Sequence, residues 1–167
     1  MEGRVTRFHE SQRFHGAIFA VLLASIAVVA VVTVLAAVSS RPVDAWLGAI
    51  GPAVIALVVL LLLSLSHLDV DVTDEGIVIA FRYVWPARRI AFGDIVGLEV
   101  KRYRPLLDYG GWGVRLGPAG WAYSTGGSDG VKLRLRKGIP VLIGSAHARE
   151  LEAAIRAGME GVAAATS

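Results

Sequence analysis

The chain has no cysteine. That excludes disulfide staples, thiolate metal sites, iron–sulfur clusters and a thiol nucleophile, and leaves any small domain to be held by its core alone. Charge is scarce as well: Asp, Glu, Lys and Arg make up 19% of the 167 residues, where soluble domains carry about 25%. Lysine is nearly missing, with Lys101, Lys132 and Lys137 the whole supply among 17 basic residues. Abundant arginine in such a composition is not by itself evidence of phosphate recognition. From residue 67 onward 13 basic residues meet 11 acidic ones, too small a surplus for a nucleic-acid backbone.

What the chain has in excess is apolar residues, 54% of the total with a mean hydropathy of +0.58. The excess is concentrated. Residues 17–38 form a run of 22 whose only polar members are Ser25 and Thr33. As a helix rising 1.5 Å per residue it reaches about 33 Å, enough for a hydrocarbon core of about 30 Å. Residues 45–66 form a second uncharged run, and the polar link 39–44 carries Pro42, placed to stop or start a helix. The expectation is a transmembrane helical hairpin over 17–66. The first run is too long for the core of a secretory signal, which holds about 7–15 residues. Arg4, Arg7 and Arg13 precede it, so residues 1–16 are expected in the cytoplasm and the protein in the plasma membrane, multi-pass, with both termini cytoplasmic. Small residues recur at Gly16, Ala20 and Ala24, and at Ala45, Ala49 and Ala53. Such seams let helices pack closely, within a homo-oligomer or against another chain; in so alanine-rich a sequence, chance spacing explains them equally well.

From residue 68 the period changes from helical to alternating. Val131, Leu133 and Leu135 interleave with Lys132, Arg134 and Arg136, and Val96, Leu98 and Val100 with Gly97, Glu99 and Lys101. Further short strands are expected at 68–72, 77–81, 88–92, 112–116, 121–124 and 139–143, separated by turns such as Thr73-Asp74-Glu75-Gly76 and Gly126-Gly127-Ser128-Asp129-Gly130. Many short strands at this spacing predict an antiparallel barrel or sandwich. Ser145 is placed to cap a helix running from Ala146 to about Gly158, with Ala148, Leu151, Ala154 and Ile155 on one stripe. The tail 161–167 is small and polar enough to fray.

Taken in order, Thr73-Asp74-Glu75-Gly76, Phe92-Gly93-Asp94-Ile95, Gly111-Trp112-Gly113-Val114-Arg115, Ala122-Tyr123 and Val141-Leu142-Ile143-Gly144-Ser145 before a helix resemble the bacterial pleckstrin-homology-like domain family. The resemblance covers roughly residues 67–160. It implies an α+β membrane protein in which two transmembrane helices precede a pleckstrin-homology-like barrel of about seven strands with a C-terminal capping helix. It also implies membrane-associated binding or scaffolding rather than catalysis. One departure matters: the first hairpin turn is acidic at Asp74 and Glu75, where phosphoinositide-binding members are basic, so no lipid site is carried over from the family.

No catalytic set can be assembled. No HExxH motif occurs among the four histidines, and Gly144-Ser145-Ala146-His147 does not match GxSxG. No cofactor or metal is expected. Two basic features suggest a contact surface. Trp85, Arg88 and Arg89 lie near one hairpin tip, where an indole and two guanidiniums suit anionic headgroups; the plainer reading folds Trp85 onto the barrel. Lys132, Arg134 and Arg136 line one strand face, either for lipid or partner contact or to keep an edge strand from aggregating. The function expected is a non-catalytic module on the cytoplasmic face that binds a protein partner or lipid headgroups. The alternative is an accessory subunit that associates through its membrane helices.

Overall fold

The computed structural model describes residues 6–13, 16–38 and 42–166, and within the two N-terminal helices only part of the side chains. The chain divides into two compact units, one made of residues 1–13 with 67–167 and the other of residues 14–66. In the second unit, helix α1 (Gly16–Val38) packs on α2 (Pro42–Leu65). Ile26, Val29 and Ala30 of α1 face Ala53, Leu57 and Leu60 of α2 across an apolar cleft of about 380 Å³. Thr33 and Ser64 return their hydroxyls to the carbonyls of Val29 and Leu60, at 2.8 and 2.7 Å, so neither polar group disturbs the apolar surface. Of the small-residue seams, Ala53 lines the cleft while Ala20 and Ala24 are exposed. The side chains of Gly16, Ala45 and Ala49 lie outside the described residues, as do residues 39–41 of the link.

The membrane-spanning expectation is corrected. Among the described residues no helix is long and apolar enough to cross a membrane. The integral, multi-pass plasma-membrane placement with both termini cytoplasmic goes with it.

In the first unit, nine strands are found among the described residues, in two sheets. Sheet A runs β1 (Thr6–Arg13), β2 (His67–Thr73), β3 (Gly76–Phe81) and β4 (Trp85–Ala91), each antiparallel to the next. A 3₁₀ turn at Phe92–Asp94 then carries the chain into sheet B. That sheet has the order β5 (Ile95–Arg102), β8 (Asp129–Leu135), β9 (Val141–Gly144), β7 (Gly120–Ser124) and β6 (Gly113–Gly117), with β7 and β9 parallel. The expected closed barrel of about seven strands is therefore corrected as well. β4 pairs only with β3 and β5 only with β8, so the hydrogen-bond ladder ends at the 3₁₀ turn instead of closing.

Alternation fills the space between the sheets. Leu68, Val70 and Val72 of β2, Ile77, Ile79 and Phe81 of β3, and Val131, Leu133, Val141 and Ile143 of sheet B are all buried. Helix α4 (Ala148–Thr166) adds Leu151 and Ile155, both fully buried. It runs well past Gly158, where the sequence suggests a stop, and takes in residues read as a fraying tail. Gly158 is there for room: a Cβ at this position would lie 2.2 Å from Cζ of the buried Phe92 ring. Gly158→Ala should therefore destabilise the fold by about 1–3 kcal/mol through overpacking, although alanine is the better helix former by about 1 kcal/mol. A raised urea midpoint would show that the ring can move aside.

Strand β1 has little apolar pattern, and of its inward residues Phe8, Glu10 and Gln12 the last two act through polar contacts. Gln12 donates Nε2 to the Gly144 carbonyl at 2.9 Å and accepts from the Thr125 hydroxyl at 3.0 Å. Glu10, 8% exposed, accepts from the Ser145 hydroxyl at 2.5 Å and from the Ala146 amide at 3.0 Å, with His147 Nδ1 at 3.6 Å. Side chains thus join sheet A to the ends of β7 and β9 where backbone pairing does not.

Candidate functional site

β5 and β6 stand at opposite edges of sheet B yet follow one another in sequence. Four strand spacings of about 4.8 Å separate them, about 19 Å in all, so residues 103–112 must cross a sheet face. Ten residues could span about 33 Å extended, and the slack is taken up by a single helical turn, α3 (Pro105–Tyr109). Pro105 stands at its start, and Gly110 ends it in the left-handed conformation at φ 74°. The segment is a strap.

Two tyrosines pin it. Tyr103 and Tyr109 are 3% and 8% exposed and meet edge to face at 6.0 Å over Ala122 and Leu142. The sheet makes room by omitting side chains: a Cβ on Gly144 would lie 2.9 Å from the Tyr103 hydroxyl, and one on Gly117 would lie 2.8 Å from the Asp108 carbonyl. Burial pushes the Tyr103 hydroxyl above its ordinary value of 10.0, with the Ser124 hydroxyl pulling down and the Asp129 charge pushing up. Tyr109 is also raised, by burial first and then by Asp108 and Tyr103. Among the described residues neither the Tyr103 hydroxyl nor Ser124 Oγ makes a hydrogen bond of good geometry.

A pH dependence follows. Below pH 10 both folded and unfolded chains hold these protons. Above it the unfolded chain releases them first, so the unfolded state binds fewer protons and stability falls as pH rises. Urea midpoints should decline above about pH 10, and less steeply in a Tyr103→Phe/Tyr109→Phe variant. Parallel declines would mean that the strap is not held by buried phenols.

At the crest of the strap, Leu106 and Leu107 are 67% and 74% exposed. Beside them a groove of about 800 Å³ is lined by Lys101, Arg102, Arg104, Trp112 and the strap itself. Trp112 is oriented by its indole N–H, which donates to the Gly127 carbonyl at 3.2 Å. The one carboxylate on the groove, Asp108, is engaged locally, its Oδ2 accepting the Arg104 amide at 2.8 Å. The arrangement offers three cations, an indole and two exposed leucines, with Ser128 also on the lining.

The residues singled out from the sequence fall elsewhere and on different sheets. Trp85 opens β4, about half exposed, with its ring 6.1 Å from Trp121; Arg88 is half-buried and Arg89 exposed on the same strand. Lys132 and Arg134 lie on β8, an interior strand, so protection of an edge is not their role. Lys132 stands opposite Glu99, and Arg134 lies over Gly97, its Nε 2.4 Å from where a Cβ would be. Arg136 is exposed just past the strand, its amide bonded to the Asp94 carbonyl at 2.7 Å. Ser145 is not the cap of a helix from Ala146, since α4 starts at Ala148: its Oγ accepts the His147 amide at 3.0 Å in the turn ahead of the helix while its proton goes to Glu10, and it is 4% exposed. No group of three or more potential metal ligands occurs among the described residues. The strap escaped sequence reading, although Pro105 and Gly110 bracket it and Leu106-Leu107 between two arginines and Asp108 is an unusual sequence for a loop. No protein-family model matches this chain, and neither does any curated protein or solved structure.

Proposed function

We propose that the first unit is a non-catalytic binding module that docks an acidic, leucine-bearing segment of another protein in the groove beside the strap. The observation that carries this reading is the pair of exposed leucines held at the crest of a strap by two buried tyrosines. Adjacent exposed apolar side chains rimmed by polar residues mark interaction sites, and tryptophan and arginine around a concavity are the composition of binding hot spots. Lys101, Arg102 and Arg104 set the sign of the partner. The concavity favours a chain segment over a flat surface. The resemblance of the motif order to the bacterial pleckstrin-homology-like family points the same way, to binding.

The test uses the full chain and a fluorescein-labelled peptide of alternating Glu and Leu, read by anisotropy. Binding should weaken at least about tenfold in Arg102→Glu/Arg104→Glu and in Leu106→Ser/Leu107→Ser. It should also fall with added salt. Undiminished binding by either variant, or equal binding of a Lys-Leu peptide, would overturn the reading. So would variants that lose only their binding to phosphatidylserine vesicles.

A further inference from the structure

The turn between β3 and β4 is Arg82, Tyr83 and Val84, and Trp85 and Pro86 open β4 directly after it. Tyr83, Val84 and Trp85 are 73%, 47% and 47% exposed. Tyr83 is the only non-glycine residue with positive φ among the described residues, at 66°. A bulky side chain is disfavoured in that region, where glycine or asparagine would fit without strain. The ring is 73% exposed, with one edge contact to the His67 ring at 6.4 Å, in a backbone conformation that costs strain.

We infer that this turn is an interfacial anchor that seats in the headgroup layer of an anionic lipid surface. Three observations carry it, none of them drawn from the strap. First, two amphipathic rings with a valine and a proline form the protrusion, the composition that favours the boundary between water and hydrocarbon.

Second, most of the turn's backbone donors are already engaged. The Arg82 amide donates to the His67 carbonyl at 3.0 Å and the Val84 amide to the Phe81 carbonyl at 3.3 Å. Pro86 has no N–H, and Trp85 is paired with Phe81 in the ladder. The Tyr83 amide is left for water or lipid oxygens, which suits the polar headgroup layer and not the hydrocarbon below it.

Third, the cations stand behind the apolar tip rather than on it. Arg82 is held by Asp69, with Nε to Oδ2 at 2.8 Å. Arg88 and Arg89 follow three and four residues after Trp85. At about 3.3 Å per strand residue that places them some 10–13 Å back on opposite faces of β4, Arg88 half-buried and Arg89 exposed, and side chains of this length reach toward phosphates. A turn is convex, so its natural counterpart is a plane and not a groove-filling peptide. Adsorption of this kind needs no spanning helix.

The absence of cysteine makes the test local. Val84→Cys and, as a control on the exposed side of α4, Glu150→Cys are each made in the full chain and labelled with an environment-sensitive dye. Phosphatidylcholine vesicles with and without phosphatidylserine are the probes. The label at 84 should shift blue, brighten severalfold and be quenched by shallow nitroxide lipids, only with phosphatidylserine present, while the label at 150 stays water-like. Adding Arg88→Gln/Arg89→Gln should raise the lipid concentration required by about 30-fold, since each basic residue near an anionic surface contributes on the order of one tenfold factor or slightly less. Tyr83→Ser/Trp85→Ser should abolish the shift with circular dichroism unchanged. A label at 84 that stays water-like on anionic vesicles overturns the inference. So do equal quenching at 84 and 150, or a blue shift induced only by added protein.

Discussion

Residues 67–167 made without the first 13 are expected to fail as a stable domain, whereas residues 1–13 joined to 67–167 through an Asn-Gly turn are expected to fold. Arg13 and His67 face each other as register partners in the β1–β2 ladder, so the whole of residues 14–66 is an insertion in a hairpin. Two residues in a type I′ turn can bridge such a pair. Without β1, seven register pairs are lost, as are the side-chain bonds of Glu10 and Gln12 to Ser145, Ala146, Gly144 and Thr125. Strand β2, whose Leu68, Val70 and Val72 are fully buried, becomes an open edge. The loss is on the order of the whole 5–15 kcal/mol by which domains of this size are stable. Urea unfolding followed by circular dichroism decides it: equal midpoints for the two proteins would mean that β1 is an accessory strand.

Within β1 the largest single effect belongs to Glu10. Its carboxylate accepts from the Ser145 hydroxyl and the Ala146 amide just ahead of α4, at a helix start where negative charge is favoured. Hydrogen bonds to a charged group are each worth about 1.5–3 kcal/mol, and removing the acceptor leaves buried donors unpaired. Glu10→Ala should therefore cost about 3 kcal/mol, and Glu10→Gln, which keeps one acceptor oxygen, about half of that. Ser145→Ala on the Glu10→Ala background should cost much less than on the wild type, because the two residues share one network. Additive losses in that cycle would show that Glu10 acts through something other than Ser145.

The difference between what the sequence discloses and what the fold contains follows from where the burial signal comes from. β8 is legible because Val131 and Leu133 are buried while Lys132 and Arg134 face outward. β5 shows the same alternation, yet Val96 and Val100 remain partly exposed because the strand is an edge. β1 is illegible by the same rule: one apolar residue in eight gives no period, and its inward face is held by hydrogen bonds. The end of α4 is misread at Gly158 because a glycine serving a neighbouring ring looks the same as a glycine ending a helix. Barrel closure is a question of which edges pair, and strand content alone does not answer it. The strap is a matter of strand order, and no local pattern shows that β5 and β6 lie at opposite edges.

The β1 contacts have a consequence for how the protein is made. Thr6–Arg13 precedes its ladder partner by some fifty residues, and the groups that Glu10 and Gln12 bond at Ser145 and Gly144 follow 135 and 132 residues later. Tyr103 and Tyr109 likewise emerge before β7 and β9, the strands they will lie on. Strand β1 is therefore made well before the groups its inward side chains bond, and that face stays unpaired until residues 144–146 have been translated.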